Sequence, residues 1–166
     1  MSVGQADLAK AINVVWDASG LNDLFKALWP AGVAAVEFPV LHEGQAGGDQ
    51  PWPYCVFEMP GASTATRMSK GVSDLWETRD AAVMFRVHSS AVSGDDRSAK
   101  QIAAYLVEEI MKVFGGHPTV SPTDLELDNG NFLNSIFQND FAVREDEDHY
   151  VWTVSYIFRL DVPIMA

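Results

Sequence analysis

The run near the carboxy terminus constrains this chain most. Between residues 149 and 162, Tyr150, Trp152, Val154, Tyr156, Phe158 and Leu160 take every other place, with Thr153, Ser155, Arg159 and Asp161 between them. Apolar residues at period two lie on one face of a strand. Six large side chains in that pattern make a face that another layer must cover. A second strand-like run, residues 132–144, comes just before it. The acidic tip Glu145, Asp146, Glu147 and Asp148 joins the two as a hairpin turn, and four like charges make a tip that projects rather than buries.

The helical patterns supply the cover. Residues 6–17 place Leu8, Ile12, Val15 and Trp16 on one stripe. Ser19-Gly20 ends that helix, and Ser19 is expected to cap a short second one carrying Leu21, Leu24, Phe25 and Leu28. Trp29-Pro30 stops it. The clearest helix is expected over residues 95–114, capped by Ser93 or Asp95 and closed by Gly115-Gly116. Ile102, Leu106, Ile110, Val113 and Phe114 form its apolar stripe, and Glu108 is set to pair with Lys112 on its wet side.

Between these helices, residues 54–59 read as a short strand bounded by Pro53 and Pro60-Gly61. Residues 74–90 read as a long strand or bent pair that buries Val83, Phe85 and Val87. Extended loops are expected at about 43–53, 60–73 and 115–131. The order is then helix, helix, strand, strand, helix, strand, strand. This predicts one α+β domain over residues 1–166: a mainly antiparallel sheet, one long helix across a face, and an N-terminal helix pair. A chain of this size buries roughly 70% of its unfolded surface, enough for a core without staples.

Candidate chemistry is sparse. Asp124, Glu126 and Asp128 resemble the start of a calcium loop, but the sixth place is Asn129 and the twelfth Ser135, where glycine and a bidentate acid are needed. His42, His88, His117 and His149 show no ligand spacing, and His88 and His149 read as surface residues. Cys55 sits in an apolar strand with no basic neighbour and reads as core. The glycines at 44, 47 and 48 lack the lysine and following helix of a phosphate cradle, and the segment around Ser63 lacks a nucleophile elbow. The reading is a protein that is not an enzyme and calls for no cofactor and no metal. Trp52 and Trp76, at loop or strand margins, are the candidates for a partner interface.

Charge narrows the partners. The net charge is −12, of which residues 120–150 carry −7. That balance opposes tight binding to phosphate backbones, which needs clustered lysine and arginine. The N-terminus lacks the basic flank and apolar core of a secretory signal, and no apolar run is long enough to span a bilayer. The expected place is the cytoplasm, or a particle assembled there.

The order of elements resembles the tail-terminator, or tail completion, family of long-tailed bacteriophages and gene-transfer particles. The likeness is carried by the N-terminal helix, the strand Pro53-Tyr54-Cys55-Val56-Phe57 after a Gly/Pro loop, and the long strand at 82–89. The single helix at 98–114 and the closing strand at 150–158 complete it. The resemblance implies a virion structural protein. It implies a homo-oligomeric ring, usually hexameric, that caps the tail tube, meets the head–tail connector and lets DNA pass without holding it. Glu145, Asp146, Glu147 and Asp148, or the acids at 124–128, would then line the DNA channel, since carboxylates repel phosphates. A head-side neck protein of the same particle and a small α+β ligand-binding domain remain alternatives.

Overall fold

The computed structural model describes residues 3–33, 38–61, 64–68, 76–144 and 148–163. Along the chain these form α1 (Val3–Ala18), α2 (Leu21–Lys26), β1 (Leu41–Glu43), β2 (Tyr54–Glu58), β3 (Thr64–Met68) and β4 (Trp76–Ser90). α3 (Ala99–Phe114), β5 (Asn131–Arg144) and β6 (His149–Pro163) follow. The six strands form one sheet in the order β1-β2-β4-β6-β5, with β3 also on β4. Among the described residues only the β1–β2 pair is parallel. The fold is α+β.

β6 is the centre of the design because both its edges are paired. It runs antiparallel to β4 from Trp76↔Pro163 to Ser90↔His149 and to β5 from Asn131↔Asp161 to Arg144↔Tyr150. Its alternation is realised: Val154, Tyr156, Phe158, Leu160 and Val162 are buried, while Tyr150 and Trp152 are partly covered at the hairpin end. Ala81, Val83, Phe85 and Val87 of β4 and Cys55 and Phe57 of β2 are buried with them.

All three helices press their apolar stripes onto this one side. Leu8, Ile12, Val15 and Trp16 of α1 join Leu21 and Phe25 of α2 and Ile102, Leu106, Ile110 and Phe114 of α3 in a single core. Trp16 is the hub. Its ring centroid lies 5.6 Å from Phe25, 6.3 Å from Phe85 and 6.5 Å from Phe114, and its indole N–H donates to Asn22 Oδ1 at 2.8 Å.

Several local expectations need correcting. Two strands were not foreseen. β1 is three residues inside a Gly/Pro-rich stretch, too short to show a period, and β3 lies within the expected loop at 60–73. α3 starts later than expected. Its cap is Ser98, which accepts from the Gln101 N–H while the Gln101 side chain accepts from the Ser98 N–H, a reciprocal capping box. Asp95 instead grips Arg97, through contacts of 2.7 to 3.2 Å, and so shapes the turn before the helix. The cap position of α2 is Gly20, with φ 82°, but the Ser19 hydroxyl serves both helix ends: it donates to the Trp16 carbonyl at 2.7 Å and accepts from the Leu21 N–H at 3.3 Å. Lys112 pairs with Glu109 at 2.7 Å rather than with Glu108, which faces His117 at 3.4 Å.

Candidate functional site

Two surfaces stand out because the helices leave them bare. The first is the far face of the sheet. By register it carries rows such as Tyr54–His88–Val151–Val143 and Val56–Arg86–Thr153–Phe141. Its charges are largely neutralised in place. Arg86 pairs with Glu58, and Arg159 grips Asp80 with two bonds of 2.8 and 3.0 Å. The Arg159 hydrogen bonds hold the Asp80 carboxyl below its ordinary value.

The second surface is the edge formed by β5. Among the described residues this strand pairs with β6 alone. Residues 138–143 are exposed on both faces, so backbone and side chains are open together. Leu133, Phe141 and Val143 are 46%, 49% and 51% exposed, three of the six large exposed apolar side chains among the described residues. Two register shifts, at Phe132/Asn134 and Phe137/Asn139, twist the edge but do not cover it. The strand holds neither proline nor lysine, the usual guards of a solvent-facing edge.

The acidic residues divide into two groups. Of the tip, Asp148 is described and exposed, whereas Glu145, Asp146 and Glu147 lie outside the described residues. Asp124, Glu126 and Asp128 are exposed just before β5, where Asp128 pairs with Lys10 at 2.5 Å. Of the described acids, Asp128 precedes the start of β5 and Asp148 follows its end, just before β6.

Trp52 and Trp76 are placed differently from each other. Trp76 opens β4 and is 39% exposed. Trp52 is half-buried in a ring cluster on the bare face, 4.6 Å from His149, 5.2 Å from Tyr54 and 5.6 Å from His88. His88 stacks on Tyr54 at 4.5 Å and 6°. It is thus half-buried in a ring stack rather than free at the surface. Burial first, and then the positive charge of Arg86, pull its pKa down to about 4. No sequence signal identified this cluster, because its members come from the 44–53 loop and from β2, β4 and β6.

The remaining candidates are quiet. Cys55 is fully buried, and burial pushes its thiol well above the ordinary value, which disfavours the reactive thiolate. Among the described residues no three His, Cys, Asp or Glu side chains converge as metal ligands. A cleft of about 410 Å³ lies beside Trp52, walled by Trp29, Pro30, Val92 and Ser93. Among the described residues no helix is long and apolar enough to cross a membrane.

No protein-family model matches the chain, and no curated protein matches it. Among solved structures, it is similar to a chain in one titled "Virion of native gene transfer agent (GTA) particle". The identity is 18%, over 85% of this chain and 91% of that one, with a TM-score of 0.49. A likeness at that level establishes neither a shared family nor a shared role.

Proposed function

We propose that this chain is a structural subunit of a phage-like virion. It forms a ring, six copies being the expected number, that caps the tail tube, contacts the head connector and leaves a channel for DNA. One observation carries the reading: among the described residues all the helices pack on one side of the sheet, while the other side carries no helix and a 14-residue edge strand pairs along one edge alone. A surface built this way is completed by other chains, and closed symmetry satisfies repeated edges without runaway growth. The net charge of −12 suits a channel that passes DNA without retaining it. In this reading Glu145, Asp146, Glu147 and Asp148, or the acids at 124–128, face that channel and repel the passing phosphates.

The test is light scattering of the pure protein with negative-stain imaging, with and without isolated tail tubes. Rings, alone or on tube ends, are the expected result. A monomer at all concentrations that leaves tube ends bare would overturn the reading. Phe141→Glu supplies a matched prediction. It is expected to abolish ring formation while changing monomer stability by no more than about 0.5 kcal/mol, since the side chain is exposed in the subunit.

A further inference from the structure

We propose that Trp52 and the 44–53 loop behind it form an acid-released latch: a proton taken up at His88 breaks the ring stack, frees Trp52 from the sheet and opens the cleft it walls. The device stands on the geometry of the cluster and does not require the ring. The start of the loop is tied down where the Gly44 N–H donates to the Phe57 carbonyl at 3.0 Å, and Gln50 is buried within it. Beside Trp52 there are two more holds. One is the Trp29 indole N–H, which donates to the Pro53 carbonyl at 2.8 Å, a buried bond that does not titrate. The other hold is the Trp52 ring, wedged among His149, Tyr54 and His88.

His88 decides whether that wedge stays. Its ring lies flat on Tyr54 of β2, with the edge of Trp52 against it and Arg86 two residues away on the same face of β4. The other titratable or charged groups around the cluster are His149 and Asp148 from β6 and its approach, and His42 of β1, 5.9 Å from the far side of Tyr54. Glu58 of β2 is already engaged by Arg86. A neutral imidazole suits this half-buried stack, whereas an imidazolium would be desolvated beside a guanidinium. Burial first, and then the like charge of Arg86, disfavour the imidazolium there. The open state, with the ring in water, binds the proton at the ordinary value. Closure therefore weakens as pH falls from 6.5 towards 4, and it is unaffected above 6.5.

Trp52 also walls the cleft with Leu28, Trp29, Pro30 and Val92, so its release widens a largely apolar opening beside the end of α2. An aromatic residue that would otherwise be free to anchor a partner is thereby kept folded down at neutral pH.

Hydrogen exchange of the intact protein across pH 7 to 4, corrected for the intrinsic pH effect, tests this. Amides of residues 44–54 are expected to exchange about tenfold faster, relative to α3, at pH 5 than at pH 7. His88→Phe keeps the ring but cannot take a proton, and His88→Gln checks the result without a ring. In both, the loop is expected to stay closed at pH 5. If the variants open over the same pH range as the parent, or if α3 loses protection together with the loop, the latch is wrong. If the parent loop shows no change down to pH 4, it is equally wrong.

Discussion

Replacing Trp16 by alanine is expected to lower stability by about 3–5 kcal/mol, a large part of what a domain of this size possesses. The side chain is fully buried where α1, α2, α3 and β4 meet. Its neighbours Phe25, Phe85 and Phe114 are flat, rigid rings that pack in fixed geometry, so they collapse poorly into the space left behind. Asn22 loses one partner but keeps its bond to Asp17 at 3.0 Å, so the polar penalty is small beside the cavity. Urea unfolding is the measurement. The midpoint should fall sharply at unchanged slope. An unchanged midpoint would mean that the three helices do not share this hub.

The parts of the fold that could be read from the sequence were those with long periods. Six alternating residues in β6 and four turns of stripe in α3 each repeat often enough to exclude the other element. Leu41-His42-Glu43 repeats nothing, and β1 exists because it lies beside β2 in register Leu41↔Cys55 to Glu43↔Phe57. Pairing of that kind is a tertiary fact. The start of α3 was misplaced for a related reason. Ser93, Asp95 and Ser98 are all acceptable caps, and what separates them is Gln101 three residues after Ser98, together with the turn that Asp95 and Arg97 make between them. The candidate surfaces show the same limit. An acid count along the chain merges Asp124–Asp128 with Glu145–Asp148, although an antiparallel hairpin sends its start and its tip to opposite ends. His88 read as a surface residue because Tyr54 and Trp52, which pack against it, are more than thirty positions earlier.

Gly115→Ala is expected to cost about 2–4 kcal/mol, through two separate effects at the end of α3. The glycine has φ 125°, a conformation that a side chain resists, and an added Cβ would come within 2.6 Å of Ser135 Oγ. Neither neighbour yields freely. Ser135 Oγ donates to the Phe114 carbonyl at 2.6 Å, and the Tyr156 hydroxyl donates to the Gly115 carbonyl at 2.7 Å. These two bonds satisfy carbonyls left open at the helix end and tie α3 to β5 and β6. Tyr156→Phe alone should cost about 1 kcal/mol, the ordinary net value of one buried hydrogen bond. The double variant Gly115→Ala with Ser135→Ala separates the causes. Removing Ser135 Oγ clears the space but leaves the backbone strain, so the double variant should be more stable than the sum of the single losses predicts. Strict additivity in thermal unfolding would assign the whole penalty to the backbone. A recovered fraction would measure how tightly β5, and with it the open edge at residues 138–143, is positioned by the end of the helix.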